Sequence, residues 1–340
     1  MAWATPQQTR SEVDRAGRIL IAETSADTEH ALQVINNWRA SHSFPLNTFQ
    51  MGLRKRAHRV DPSALVAQRI KRLSSIADKL RREHTMQLSQ MQDVGGCRSV
   101  LTTVDQVCTV RGLFRDSRLK HKLVKQNDYI TEPKRSGYRG IHLVYRYVSD
   151  RKDTYNGLQI EVQIRSQLQH AWATAVETVG TFLKQSLKAS QGSEEWLRFF
   201  KLMGSAMALR EGTQTVPETP SSKDKLVREL KEHIASLDVE RKLAAYHATI
   251  RLRTTPEVRD AKYFLLELRP SAGTIYVSSF RGTGLAEATA KYIQVEQALS
   301  GPGSEAVLVS VESIDALRRA YPNYFLDTRR FIDAMKAAVR

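Results

Sequence analysis

Between Thr213 and Ser222 the chain reads Thr-Gln-Thr-Val-Pro-Glu-Thr-Pro-Ser-Ser, ten residues rich in Pro, Ser and Thr and without apolar periodicity. Such a stretch cannot continue a core helix or strand and reads as a linker or extended loop. It divides the 340 residues into 1–212 and 223–340, with 213–222 between them, each part long enough for its own core. The charge follows the same division. The chain carries 52 Lys and Arg against 36 Asp and Glu, a net +16, but residues 221–340 hold 19 against 15, so the excess lies in the first part. A basic excess points to polyphosphate, nucleic acid or an acidic surface. Its densest run, residues 51–82, has ten Lys and Arg and two Asp, a pattern that also suits a solvated helix face. Cys97 and Cys108 form no CxxC pair, which excludes a disulfide framework or a four-cysteine zinc site and favours a reducing compartment. No apolar run approaches the roughly 18 residues of a membrane span, and Met1–Arg10 lacks the pattern of a signal peptide. The expectation is a cytoplasmic protein with no membrane partner.

Apolar spacing predicts a helix over Ser11–Arg39 and a second over Pro62–Arg82, with Asp61 as N-cap and Pro62 at the first helical position. Strand-like runs follow at Arg98–Thr102, Lys120–Lys125, Ile141–Val148 and Gln159–Ile164, with a helix at Val104–Asp116, and then helices over Gln167–Lys188 and Glu194–Leu209. This is an α/β (α+β) pattern, a mixed sheet with helices packed on it. Beyond the break, a helix over Lys223–Leu252 leads into a smaller α+β unit. Its strands are read at Ala261–Leu268, Thr274–Phe280 and Ala306–Val311, and its helices at Gly284–Leu299, Ile314–Tyr321 and Thr328–Val339.

Four stretches of the first part combine residue types that phosphate chemistry needs. Arg69, Lys71, Ser75 and Lys79 are cations and a hydroxyl at intervals of two, four and four, suited to clamping a triphosphate. Asp93 leads into Gly95-Gly96 and Arg98, where a carboxylate can reach a metal while the backbone stays close to a ligand. In Lys134-Arg-Ser-Gly137-Tyr138-Arg139-Gly140-Ile-His142, Tyr138 is a stacking platform for a base, Lys134 and Arg139 phosphate ligands, and His142 opens a strand. Period two puts Glu161, Gln163 and Arg165 on one strand face and Val162 and Ile164 on the other.

In this order, Arg-x-Lys-x-x-x-Ser-x-x-x-Lys, Asp-x-x-Gly-x-Arg, Pro-Lys-x-x-Gly-Tyr-x-x-x-His and Glu-Val-Gln-Ile-Arg resemble the synthetase domain of the RelA/SpoT family, densely over Leu65–Leu187. The resemblance implies a mixed five-stranded sheet with flanking helices, and transfer of the β,γ-pyrophosphate of ATP to a ribose 3′-hydroxyl with Mg²⁺. Arg69, Lys71, Ser75, Lys79 and Arg98 then bind ATP. Asp93 and Glu161 are the catalytic magnesium carboxylates, Glu161 also being the base for the attacking hydroxyl. Tyr138, Lys134, Arg139, His142, Gln163 and Arg165 line the acceptor side. Gly140 departs from the family, where Ser is usual.

Near the C-terminus, Tyr321-Pro-Asn-Tyr324 forms a short aromatic hook in a unit without zinc cysteines. It is similar to the fused toxin-antitoxin proteins called CapRel. That likeness implies a synthetase (toxin) domain over 1–212 that pyrophosphorylates the 3′-CCA end of tRNA. It implies a C-terminal pseudo-zinc-finger (antitoxin) domain over 223–340 whose Tyr321 and Tyr324 obstruct the ATP site, and a phage capsid protein that relieves the block. Arg54, Lys55, Arg56 and Arg59 are then read as a phosphate-tracking tRNA surface at the pocket's rim, extended by Lys120–Lys125. Two other readings are an alarmone synthetase making (p)ppGpp or (p)ppApp from free nucleotides, and an RNA-binding decoy with a dead site.

Overall fold

The computed structural model describes residues 3–22, 27–183, 187, 193–248, 251–254, 260–269, 272–299, 304–325 and 327–340. Three helices, α1 (Arg10–Ala22), α2 (Thr28–Ser41) and α3 (Ser43–Val60), lead into β1 (Leu65–Ile70), α4 (Leu73–Arg82), β2 (Gly95–Leu101) and α5 (Val104–Arg115). Then come β3 (Lys122–Asp128), β4 (Ile141–Arg146), β5 (Gln159–Ser166), α6 (Gln167–Leu183) and α7 (Glu194–Arg210). The C-terminal part consists of α8 (Lys223–Leu237), α9 (Val239–Ala248), β6 (Arg251–Thr254), β7 (Ala261–Arg269), β8 (Thr274–Arg281), α10 (Leu285–Ala298), β9 (Glu305–Ser310), α11 (Ile314–Ala320) and α12 (Arg329–Ala338).

The helix expected over Pro62–Arg82 is instead a strand followed by a shorter helix. Residues 65–70 pair along their whole length with β2, from Leu65↔Val100 to Ile70↔Gly95, and that long-range ladder overrides the local helical pattern. Asp61 caps no helix start. It follows α3, and its carboxylate accepts from Ser63 and from the backbone and hydroxyl of Thr102 at the end of β2. The pattern over Ser11–Arg39 belongs to two helices, with residues 23–26 outside the described residues. The run over Lys223–Leu252 breaks at Asp238, which adopts a left-handed conformation (φ 49°), and ends in β6. The part of the Gln167–Lys188 helix beyond Leu183 falls largely outside the described residues. The remaining strands and helices form within a few residues of their expected bounds.

Among the described residues, nine strands hydrogen-bond into one sheet, in the order β3-β4-β5-β2-β1-β9-β7-β8-β6. The first five are the expected mixed sheet, antiparallel except for the β2–β5 pair. The expectation of five strands is corrected at one point: β9 pairs antiparallel with β1, so the C-terminal strands extend the same sheet. The break at 213–222 is an ordered loop. Val216 is buried and donates its N–H to Ser205 Oγ at 2.9 Å, and a Cβ on Gly204 of α7 would meet the backbone of Gly137 at 2.8 Å, so α7 rests directly on the Lys134–His142 loop.

Alternation gives the sheet two chemically different faces. Cys97, Leu101, Ile141, Leu143, Ile160, Val162 and Ile164 pack against Leu46, Phe49, Leu53 and Ala57 of α3 in the main core. The intervening residues, Arg69, Arg98, His142, Glu161, Gln163 and Arg165, belong to the opposite face. Among the described residues no helix is long and apolar enough to cross a membrane.

His42, at the junction of α2 and α3, is buried, with Nδ1 2.7 Å from Trp38 O, and burial pushes its imidazole down to about 4 from 6.5. The unfolded chain therefore binds the proton first as pH falls. Stability from the neutral ring is fully present above pH 6.5 and is lost as pH drops toward 4, by up to about 3 kcal/mol. Urea midpoints measured from pH 7.5 to 4 are expected to fall less steeply in His42→Gln than in the parent.

Candidate active site

The Arg69–Lys79 run spans a strand end, a turn and a helix. Lys71 donates its backbone N–H to Val94 O at 2.8 Å, which seats the turn beside the segment entering β2. There Lys71 Nζ lies 2.6 Å from Asp93 Oδ2, and Lys79 Nζ, from the second turn of α4, lies 3.0 Å from Oδ1. Burial pushes the Asp93 carboxyl up, but the two ammonium groups outweigh it and hold it well below the usual range. Burial in turn pulls Lys71 down to about 8 against the attraction of Asp93. Ser75 Oγ accepts from Arg72 Nε at 3.3 Å, which adds Arg72 to the group.

On the parallel neighbour β5, Glu161 lies opposite Gly96. Its Oε1 is 2.7 Å from His142 Nδ1 and its Oε2 accepts from Gln163 Nε2 at 2.6 Å. Gln163 Oε1 accepts from Arg165 Nη2 at 2.8 Å, and His142 Nε2 is 2.5 Å from the Tyr138 hydroxyl. A proton on Nδ1 of His142, with Tyr138 donating to Nε2, satisfies both contacts. Burial raises the Glu161 carboxyl, yet His142 and Gln163 outweigh it and hold it below the usual carboxylate range. The charges of Asp93 and Glu161 act on each other. Among the described residues no three His, Cys, Asp or Glu cluster. A pair of carboxylates fits Mg²⁺ none the less, since that ion is held by one or two carboxylates with phosphate and water oxygens.

Tyr138 is not the open stacking platform expected of it. Its ring is buried between the Arg165 guanidinium at 5.0 Å and Lys134 Nζ at 5.5 Å, with Trp172 edge-on at 6.2 Å. The half-buried ring beside it is Tyr129, edge-on to Tyr138 and His142, with Lys134 Nζ 4.5 Å from its centre. Tyr129 lies in the same stretch but no spacing marks it. Arg139 is buried and bonded to Glu211 Oε2 at 2.6 Å and Thr213 Oγ1 at 3.0 Å, a pairing that fastens its loop to the end of α7 in place of the phosphate contact expected. Gly140 has φ +146°, a conformation reserved for glycine, and a Cβ there would meet Arg165 Cγ at 3.1 Å. A serine in its place would be strained and would press on the stem of Arg165, whose guanidinium covers Tyr138.

The Arg54–Arg59 cluster does not rim this pocket. It lies on α3, which covers the opposite face of the sheet. Arg54 Nε is 3.3 Å from Glu312 Oε1 of the C-terminal part, and Arg56 donates to Leu113 O and Gly52 O, which leaves Lys55 and Arg59 exposed.

Arg69 and Arg98, on neighbouring strands, meet the tyrosines. The Tyr321 hydroxyl donates to Gln68 O at 3.1 Å, its ring lies 5.2 Å from the Arg98 guanidinium, and Arg98 Nη2 donates to Ala320 O. Burial and the nearby Arg165 push Arg98 down to about 10. Tyr324, 6.3 Å from Tyr321 ring to ring, is equally buried and within electrostatic reach of Arg72 and Arg69. Glu177 of α6 acts electrostatically on both arginines and both tyrosines.

These groups converge from β1, α4, β2, β4 and β5, a span that one family description covers. Residues 68–181 match the region found in RelA / SpoT proteins. The matched region therefore contains Arg69, Lys71, Ser75, Lys79, Asp93, Arg98 and Glu161, while Tyr321 and Tyr324 lie outside it. The chain is 35% identical over 115 residues to the GTP pyrophosphokinase YjbM of Bacillus subtilis, covering 33% of this chain and 54% of that protein. It is 26% identical over 122 residues to the GTP pyrophosphokinase YwaC of the same organism, covering 34% and 58%. The chain thus spans little more than half the length of these relatives. Among solved structures it is similar to the small alarmone synthetase 1 of Bacillus subtilis bound to its product pppGpp, at 25% identity and a TM-score of 0.42, over 52% of this chain and 92% of that one.

Tyr321→Phe removes one buried hydrogen bond and is expected to cost about 1 kcal/mol, whereas Tyr321→Ala also opens a cavity and should cost about 3 kcal/mol or more. Urea unfolding of both variants checks the order and the gap.

Proposed function

We propose that the chain is an ATP-dependent pyrophosphokinase held closed by its own C-terminal part. The observation that carries this reading is the Lys71–Asp93–Lys79 cluster, drawn from the turn after β1, the segment before β2 and α4, beside Glu161, whose carboxylate is held by His142 and Gln163. Pyrophosphoryl transfer needs charge neutralisation and in-line positioning more than covalent help. Arg69, Lys71, Ser75, Lys79 and Arg98 bind and orient the nucleotide. Mg²⁺, held by Asp93 and Glu161, would offset the negative charge of the phosphates. The acceptor's 3′-oxygen attacks the β-phosphorus of ATP, the bond from that phosphorus to the bridging α-oxygen breaks, AMP leaves, and the hydroxyl proton passes to Glu161. His142 and Gln163 fix both carboxylate oxygens for that task.

The closed state rests on Tyr321 and Tyr324, which cover the arginines assigned to ATP. As in the CapRel proteins that the Tyr-x-x-Tyr hook resembles, the opening signal is a phage capsid protein acting on the C-terminal part, and the acceptor is the 3′-CCA end of tRNA. A strip of cations supports a polynucleotide acceptor. On the catalytic face, Lys125 and Arg146 continue outward from His142 along β3 and β4, Lys122 lies cross-strand from Arg146, all three are exposed, and none has an ion-pair partner among the described residues. The rival acceptor is a free guanine or adenine nucleotide, favoured by the naming of two relatives as GTP pyrophosphokinases.

With γ-labelled ATP, deacylated tRNA and nucleotides offered together, Tyr324→Ala is expected to transfer label to tRNA. Asp93→Ala and Glu161→Ala in that background should lower transfer at least about a thousandfold. Label on free nucleotide would select the rival acceptor, and no transfer to any acceptor would refute the enzyme. Expression of Tyr324→Ala in cells should arrest growth without a trigger; unaffected growth with the protein stably made would count against the tyrosine block.

A further inference from the structure

On the sheet face opposite the tyrosines, the C-terminal part makes a second contact with the same phosphate-binding run. Glu296 of α10 reaches the start of α4, where its Oε1 accepts the backbone N–H of Leu73 at 2.8 Å. The same carboxylate is gripped by Arg39 of α2 through both oxygens, at 2.8 and 3.2 Å, and by the Tyr292 hydroxyl at 2.8 Å. Arg39 also donates from Nε to Lys71 O at 2.9 Å and is only 3% exposed. One buried node therefore holds both ends of the turn from Lys71 to Leu73, and that turn sets the placement of Lys71, Ser75 and Lys79.

We infer that Glu296 is a positioning residue for ATP: it caps the first N–H of α4 and so fixes the helix that presents Ser75 and Lys79 to the phosphates. The side chain of Arg72, the N-cap residue, makes no capping bond, and Glu296 does the work that Ser, Thr, Asp or Asn does locally elsewhere. Arg39 neutralises its charge, so the carboxylate can stand at a helix N-terminus without repelling the phosphates that bind beyond it. The cap enters with α10 from the α2 side, whereas the lysines and Asp93 meet on the other side of the turn. The C-terminal part thus obstructs the site through Tyr321 and Tyr324 and completes it through Glu296. It follows that the active state keeps α10 in place and moves only the tyrosines.

This inference rests on the ATP reading of the site, and the test separates the two. The full-length Tyr321→Ala, Tyr324→Ala protein is titrated calorimetrically with α,β-methylene-ATP and Mg²⁺, alone and with three further changes. Glu296→Ala is expected to weaken binding about tenfold, the size of a lost helix cap. Glu296→Gln, which keeps an acceptor for Leu73, should recover most of that loss. Arg39→Leu with Glu296→Leu removes the cap without stranding a buried charge and so should keep the fold; it is expected to bind as weakly as Glu296→Ala while lowering the unfolding midpoint less than Glu296→Ala does. In the transfer assay the loss should raise the KM for ATP and leave the KM for the acceptor alone. Equal binding by the Leu pair and the parent overturns the positioning role. Tighter binding overturns it too, and would make Glu296 a carboxylate that blocks the phosphate site. Failure of the parent itself to bind the nucleotide removes the ATP reading, and this inference with it.

Discussion

Two residue pairs, Gln68↔Ser310 and Arg69↔Val309, join β1 to β9 and make one sheet of what would otherwise be two. The other contacts of the C-terminal part with the site follow from that seam. Because β9 runs beside β1, the chain that leaves β9 enters α11 directly above the sheet and delivers Tyr321 to the carbonyl of Gln68 in the seam itself. On the other face, α10 packs on β7 and β9 and comes to lie against α2 and the turn after β1. Arg69 is both a ladder residue of the seam and a member of the polyphosphate group, so the state of one affects the other.

The polar face of the sheet was readable in the sequence where its logic is local. Glu161, Gln163 and Arg165 alternate with Val162 and Ile164, and period two alone separates them into a polar and an apolar row. β1 was not readable, because Leu-Val-Ala-Gln-Arg-Ile has no such alternation, and its extended conformation is imposed by β2 and β9 from far along the chain. The same cause hid α3 and misplaced its cations. Nothing in the spacing of Arg54, Lys55, Arg56 and Arg59 says which side of a sheet their helix will cover. Burial decided the rest. Arg139 and Tyr138 carry the residue types expected at a nucleotide pocket, but each is enclosed by partners, Glu211 and Arg165, that are distant in sequence or on another strand. Glu296 left no trace at all, since a single glutamate on an amphipathic helix looks solvated until its partners are known.

Part of the positive excess is paired with carboxylates beside the site. Lys71 and Lys79 share Asp93, Arg39 takes Glu296, Arg139 takes Glu211, and Arg72 pairs with Glu305. A buried cation without such a partner would be costly, and these pairings let the fold carry a cationic centre in the absence of any polyanion. Any polyanion entering there would compete for Lys71 and Lys79 with a carboxylate already in hand, and its binding would be an exchange of partners.

The tyrosines and the arginines they cover belong to one covalent chain. Their association is unimolecular, with an effective concentration set by the fold and independent of how many molecules a cell makes, on the order of millimolar or higher for tethered groups. Dilution cannot loosen such a contact and scarce expression cannot leave it unformed. Two separate proteins would hold such a contact only in proportion to their concentrations, whereas here each molecule is synthesised with both halves of the contact in one chain.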